Sequence, residues 1–96
     1  MRTEGLVRCR VRPGLFSDEF IITLETVGAR GREPREFVAD RRGVEFSGEP
    51  RRGAPVDGKL RVYVLGRENG TERILVPASA ASGAEFVRVP IELLAS

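Results

Sequence analysis

The stretch KLRVYVLGRENGTERILVP, residues 59–77, consists of two apolar runs joined by Asn69-Gly70. Both residues of an Asn-Gly pair tolerate positive φ, which the two central positions of a type I′ turn require. The β-branched and aromatic residues of the two runs favour extended strands. The stretch therefore predicts a β-hairpin whose strands cover residues 60–68 and 71–76.

Centring the turn on Asn69-Gly70 fixes which residues lie opposite each other across the hairpin. The predicted pairs are Glu68 with Thr71, Arg67 with Glu72, Leu65 with Ile74, and Val64 with Leu75. An arginine then meets a glutamate and aliphatic residues meet one another, and both kinds of cross-strand pair stabilise a sheet.

In this register both faces of the hairpin are apolar, whereas an antiparallel hairpin with one solvated face is polar on that side. One face carries Leu60, Val62, Val64, Leu75 and Pro77. The other face is predicted to contact a partner protein or a second copy of the chain, and it carries Tyr63, Leu65, Ile74 and Val76. The alternative is cover by the chain itself, from Leu15-Phe16, the loop 47–58 or Leu93-Leu94.

Apolar residues recur with a period of two elsewhere in the chain, which predicts further short strands. These strands are expected at residues 6–13, 19–26, 36–40, 44–46 and 85–90. Between them we expect a Gly- and charge-rich connection at 27–36, a surface loop at 47–58, and a turn or short helical turn at 77–85. Leu15 and Phe16 are expected to fold back onto the core.

Five to seven short strands separated by glycine and proline turns predict an all-β domain, either a small antiparallel β-barrel or a compressed sandwich. By analogy of strand number and length alone, the nearest shape is an SH3-like barrel. A short helical turn is expected near the C-terminus, in residues 91–96. The chain of 96 residues has the length of one domain, 1–96.

Sixteen basic residues against 14 acidic ones leave a net charge of only +2, which is weak support for a polyanionic partner. Three arginines lie on the polar face of the first strand, where Glu19 and Glu25 of the second strand are expected to neutralise them. Two further pairs lie on turns and are expected to protrude. The candidate contacts to an anion or a nucleic acid are Arg8, Arg10, Arg12, Arg41, Arg42, Arg51 and Arg52.

The chain contains no histidine and a single cysteine, Cys9, which excludes a His- or Cys-ligated zinc site and an intrachain disulfide. Cys9 has no histidine to activate it, and its apolar position in the first strand is typical of a core residue. The sequence contains no catalytic motif and no glycine-rich phosphate loop. We therefore predict a protein without catalytic activity, metal or cofactor.

No apolar run approaches the ~18 residues of a membrane span, and the N-terminal residues lack the apolar core of a signal peptide. The expected location is the cytoplasm, without a membrane partner. The preferred hypothesis is a small binding or scaffold module with a protein partner or self-association. The alternative is a nucleic-acid-binding domain that uses the arginine strand face and the arginine turns.

Overall fold

The computed structural model describes residues 3–77 and 83–95, and most of them lie in antiparallel strands. The strands are β1 (Thr3–Pro13), β2 (Glu19–Gly28), β3 (Gly31–Asp40), β4 (Val44–Phe46), β5 (Val56–Glu68), β6 (Thr71–Val76), β7 (Glu85–Pro90) and β8 (Leu94–Ala95). A 3₁₀ turn, Ile91–Leu93, precedes β8. The prediction of an all-β chain with a short helical turn near the C-terminus is confirmed.

All the strands belong to one curled sheet, which forms a half-barrel. Its main path runs in the order β3-β2-β1-β5-β6-β7, while β4 pairs with β5 and β8 pairs with β1. Since β3 and β7 are the two ends of this path, they are the edge strands of the half-barrel. Within the described residues, no helix has the length and apolar character needed to cross a membrane.

The core lies inside the curl, against one side of each long strand. The alternation of apolar residues along β1 and β2 correctly predicts the core residues that these two strands contribute. Each strand buries one face and leaves the other partly exposed to water. The edge-to-face contact of Phe20 with Phe46, 5.0 Å between ring centroids, ties β2 to β4. The buried core consists of Val7, Cys9, Val11, Phe20, Ile22, Leu24, Phe37, Ala39, Val44, Leu60, Val62, Ile74, Val76, Val87 and Val89.

The connection predicted at residues 27–36 is wrong, because β3 begins at Gly31 and pairs with β2 over its whole length. Gly31 has a φ of 105°, which suits a residue that leaves a tight turn. The first half of β3 is charged and exposed, so it lacks the apolar alternation that marks a strand. Its Pro34 is tolerated because an edge strand has one side without ladder hydrogen bonds.

The surface loop predicted at residues 47–58 is too long at its C-terminal end. A β-bridge between Arg51 and Ala54 closes a turn, and β5 already begins at Val56. A Cβ atom added to Gly58 would lie 2.6 Å from Cγ2 of Val11. Gly58 is therefore a strand glycine at a close approach of neighbouring strands rather than a loop glycine.

The predicted β5–β6 hairpin is confirmed at its turn. Asn69 and Gly70 have φ values of 51° and 79°, so both central residues have positive φ. The two pairs nearest the turn, Glu68–Thr71 and Arg67–Glu72, are those predicted.

Farther from the turn, the predicted pairs Leu65–Ile74 and Val64–Leu75 are wrong. Val64 pairs with Ile74 instead, because Leu65 is an extra residue in a β-bulge of β5. A bulge shifts the register by one residue, and a shift of one residue exchanges the two faces of the partner strand.

The helical tail predicted at residues 91–96 is reduced to the three residues of the 3₁₀ turn. The next two residues form β8, which pairs with β1 at Leu6 and Val7. Most of the turn predicted at 77–85 cannot be compared, since residues 78–82 lie outside the described residues.

Candidate binding surface

The arginines of β1 point away from the core, but their guanidinium groups are occupied by acceptors of the same chain. Arg10 forms an ion pair of 3.0 Å with Asp57 on β5, and Arg12 forms one of 2.8 Å with Glu36 on β3. Arg8 donates a hydrogen bond to a backbone carbonyl of the 3₁₀ turn. This neutralisation weakens the field that a phosphate backbone would meet.

The carboxylates predicted to neutralise these arginines, Glu19 and Glu25, are not the ones that do so. The register places Thr23 opposite Arg10 on β2, and the guanidinium group reaches toward β5 instead. The sequence could not identify the partners, because they lie on strands far away in the chain.

The paired arginines on turns are exposed, as predicted. Arg41 and Arg42 precede β4, whereas Arg51 and Arg52 follow it. The guanidinium carbon of Arg41 lies 5.3 Å from the ring centroid of Phe20, which is within cation–π range. Whether these turns bind an anion stays a prediction.

The four residues predicted to form a partner surface do not share one face of the sheet. Ile74 and Val76 are buried in the core, whereas Tyr63 and Leu65 are half-buried on the outer face. The bulge at Leu65 is the cause, since it exchanges the faces of β6 relative to the register predicted from the turn. Gly66, a glycine inside a strand pattern, is the sequence signal that marks this bulge.

An apolar surface does form on the outer face of β5, β6 and β7, with partly different members. We call it the outer patch, and it consists of Tyr63, Leu65, Leu75 and Phe86. Leu75 lies at its centre, opposite Tyr63 on one side and opposite Phe86 on the other. Leu75 is buried without belonging to the core, and Phe86 is 69% exposed.

Two arginines border the outer patch. Arg73 and Arg88 lie directly opposite each other on β6 and β7, an arrangement that like charges make unfavourable. Arg88 forms an ion pair with Glu68, with 3.3 Å between Nη2 and Oε1. Together with Leu65 and Phe86, the two arginines line a depression of about 200 Å³. This volume is below the range of about 300–1,000 Å³ typical of small-molecule sites and suits a single side chain.

The β1–β2 turn carries a second exposed apolar feature. Leu15 and Phe16 are 84% and 71% exposed, so the prediction that they fold back onto the core is wrong. The turn closes tightly: the N–H of Gly14 donates to the carbonyl of Glu19 at 2.9 Å, and the N–H of Glu19 donates to that of Phe16 at 3.0 Å. A turn of this length holds both side chains outside the barrel, with Asp18 exposed beside them.

Cys9 is not poised for nucleophilic chemistry. Burial raises its pKa to about 12, and the negative charge of Asp57 contributes to the same shift. The thiol is therefore protonated near neutral pH, and the thiolate is the reactive form. The carboxylates that line the nearby cavity of about 530 Å³ are held by arginines, Asp57 by Arg10 and Glu45 by Arg61.

Glu72 pairs with Arg67 as predicted, and its side chain is in addition buried on the inner face of the sheet. Its side chain is 4% exposed, and Nε of Arg67 lies 3.4 Å from Oε1. The other carboxylate oxygen, Oε2, has no hydrogen-bond partner in the described part of the chain. Alternation with Ile74 and Val76 is the signal that places Glu72 on the inner face.

Across residues 3–77 and 83–95, no group of three or more histidine, cysteine, aspartate or glutamate side chains is arranged to hold a metal ion. Comparison of the chain with protein family models, with curated proteins and with solved structures found no match. The function is therefore inferred from the surfaces of the molecule itself.

Proposed function

We propose that the chain is a non-catalytic half-barrel module that self-associates through the outer patch. The observation that carries this proposal is Phe86, a large aromatic side chain that is 69% exposed on a β-strand. The outer face of an antiparallel sheet is polar where water covers it. An apolar outer face bordered by charged residues is typical of an interaction surface.

The composition of the outer patch agrees with this role. Aromatic residues and arginine are enriched at the centres of protein interfaces, and the patch combines Tyr63 and Phe86 with Arg73 and Arg88. Leu75 is already buried by its neighbours, so the patch is a continuous apolar surface rather than a set of isolated side chains. Covering Phe86 would contribute about 1–2 kcal/mol of apolar burial.

The chemistry around Cys9 supports a role without catalysis. The thiol of Cys9 is protonated near neutral pH, and Asp57 and Glu45 are engaged by arginines. Cys9, Asp57 and Glu45 are among the residues that line the cavity at β1 and β5. A general acid or base needs a pKa near the working pH and access to a substrate.

The proposal is tested by the molar mass of the pure protein in solution. Sedimentation equilibrium from about 10 µM to about 1 mM covers the affinities of small interfaces. We expect the mass of the wild type to rise above the 10.6 kDa of one chain, and that of Phe86→Ser to stay there. Ile21→Ser, on the outer face of β2 away from the patch, is the matched control and should associate like the wild type.

Two outcomes would overturn the proposal. A wild-type protein that remains monomeric over the whole range has no self-association to explain. Association that Phe86→Ser leaves unchanged would place the contact on another surface.

A second candidate function, binding of single-stranded nucleic acid, is favoured by one observation. Exposed Phe86 lies beside Arg73 and Arg88, and bases stack on such aromatic rings next to cationic groups. Against it stand the β1 arginines, which are engaged within the chain. Titration of a labelled oligothymidylate at about 50 mM and about 150 mM salt separates the candidates, since phosphate contacts are strongly salt-dependent. Binding lost in Phe86→Ser would support the nucleic acid, and no binding at low salt would exclude it.

A further inference from the structure

We infer that the outer patch of one molecule receives the β1–β2 turn of a second copy, so that the copies associate head to tail. This inference rests on the proposed function and adds the identity of the surface that covers the patch. We call that surface the apolar tip, and it consists of Leu15, Phe16 and Asp18.

The first support is the distribution of exposed apolar side chains. In the described part of the chain, the exposed large hydrophobic residues are Leu15, Phe16 and Phe86. Two of them sit on a protruding turn, and the third lines a depression. The molecule thus presents one convex and one concave apolar feature, which can cover each other between two copies.

The second support is charge. The apolar tip carries the exposed carboxylate of Asp18, whereas the depression is bordered by Arg73 and Arg88, which are opposite each other in the register of β6 and β7. The contact of Arg88 with Glu68, at 3.3 Å, is longer than the 2.7–2.9 Å usual for a charge-assisted hydrogen bond. A carboxylate that arrives with the tip of another molecule would relieve the repulsion between the two arginines.

The third support is shape. Backbone hydrogen bonds of 2.9 and 3.0 Å close the turn, so the tip is ordered before it binds and loses little conformational entropy. The depression of about 200 Å³ suits a single aromatic side chain, and Phe16 is the aromatic residue of the tip.

Two other occupants fit the charges less well. A symmetric contact of patch against patch would bring Arg73 and Arg88 of both copies together, and like charges at an interface oppose binding. Insertion of the tip into an anionic lipid surface would place Asp18 against negative headgroups. The tip of a second copy satisfies both the apolar and the charged parts of the patch.

The geometry of this contact decides the kind of assembly. Each molecule has one tip and one patch, so a head-to-tail contact continues into a ring or an open chain. A contact of one turn with one depression is small, and interfaces below about 1,200 Å² are weak and transient. We therefore expect the mass to rise gradually with concentration.

The test uses two variants that each lose one half of the contact. Phe16→Ser keeps the patch, and Phe86→Ser keeps the tip. We expect each variant alone to associate about 30-fold more weakly than the wild type, as for an interface anchor. An equimolar mixture should regain association but stop at a dimer, since just one intact tip meets one intact patch.

The outcomes separate this inference from the proposed function. If Phe16→Ser associates like the wild type while Phe86→Ser does not, the patch is the interface and the head-to-tail contact is wrong. If both variants fail and their mixture also fails, the two residues do not meet each other, and the inference is wrong again. A monomeric wild type would overturn both. Circular dichroism and urea unfolding of each variant exclude misfolding as the cause, and both residues are exposed enough for small effects on stability.

A charge variant adds an independent readout. Asp18→Arg puts a positive charge on the tip, which would then meet the two arginines that border the patch of the next molecule. It should weaken association severalfold while leaving the free energy of unfolding unchanged. Asp18→Asn should have a smaller effect in the same direction. Unchanged association in Asp18→Arg would contradict the charge complementarity.

Discussion

Arg35 on β3 and Glu85 on β7 form an ion pair between the two edge strands of the sheet. These strands are farthest apart along the hydrogen-bonded path, and the curl of the sheet brings them together. The guanidinium carbon of Arg35 also lies 5.2 Å from the ring centroid of Phe37. Each side chain of the ion pair is 40% exposed, so water reaches the contact that spans the open side of the half-barrel.

A double-mutant cycle with Arg35→Gln and Glu85→Gln measures what this ion pair contributes. We expect a coupling free energy of about 0.2–1 kcal/mol, since the pair is partly exposed, and a smaller value at high salt. Arg35→Gln should cost more than Glu85→Gln because it also removes the contact with Phe37. Urea unfolding of the four proteins gives these values, and a larger loss in Glu85→Gln would contradict the assignment.

Substitution of Gly70 by valine tests the hairpin turn. Gly70 has a φ of 79°, which a β-branched residue adopts at a cost of about 1–3 kcal/mol. The matched control is Gly70→Asn, because asparagine adopts positive φ more readily than a β-branched residue does. Urea unfolding should show a loss in Gly70→Val and little change in the control. Equal losses would mean that the turn conformation is not what valine disturbs.

Ile74→Ala and Leu65→Ala test the faces that the bulge assigns to β5 and β6. Ile74 is 0% exposed in the core, so its truncation should lower the free energy of unfolding by about 2–5 kcal/mol. Leu65 is half-buried on the outer face, and its truncation should cost less than about 1.5 kcal/mol while weakening association. Measurements at concentrations where the protein is monomeric separate the two effects. A larger loss of stability in Leu65→Ala would favour the register without a bulge.

Replacement of Glu72 by methionine tests the cost of its burial. Among residues 3–77 and 83–95, one carboxylate oxygen of Glu72 has no hydrogen-bond partner, and the contact of the other with Arg67 is long. Replacing a poorly satisfied buried charge by an apolar side chain of similar volume is often neutral or stabilising by about 1–4 kcal/mol. We expect Glu72→Met to raise the free energy of urea unfolding. A loss of more than about 1 kcal/mol would mean that Glu72 has a partner that compensates its burial.

The buried thiol of Cys9 predicts a loss of stability at alkaline pH. The thiol ionises at pH 9.0 in its ordinary state and at about 12 in the fold, so the unfolded chain loses its proton first. The contribution of the protonated thiol is complete below about pH 9 and is lost toward about pH 12, at about 1.4 kcal/mol per pH unit. Urea unfolding of the wild type and Cys9→Ala between about pH 8 and about pH 10.5 should show this loss in the wild type alone. Parallel profiles would contradict the raised pKa.

The parts of the fold that the sequence predicts are those with a local physical cause. Val7, Cys9 and Val11 alternate with arginines because β1 has one buried and one wet face. The Asn69-Gly70 pair favours a type I′ turn whatever the register of the strands beyond it. The first half of β3 has no such cause, since hydrogen bonds to β2 hold it extended without burial.

The candidate site was less accessible to prediction than the fold. The sequence indicates correctly that both faces of the hairpin are apolar, but the bulge at Leu65 decides which residues lie on each face. Phe86 occupies an outward position of β7 that becomes part of a patch only through pairing with Leu75. The exposure of Phe16 depends on how tightly its turn closes, which apolar composition does not reveal.

The pairing of β1 with β8 constrains the order in which the chain acquires its structure. During synthesis β1, β2 and β3 leave the ribosome in succession and can pair early, whereas the other edge of β1 must wait for β5, and its residues Leu6 and Val7 must wait for Leu94 and Ala95. Pairings between such distant segments make folding slow, in the range of about milliseconds to seconds for all-β domains. A nascent chain therefore carries an unfinished strand edge until β8 has emerged, and that interval is when it is most exposed to aggregation and to chaperones.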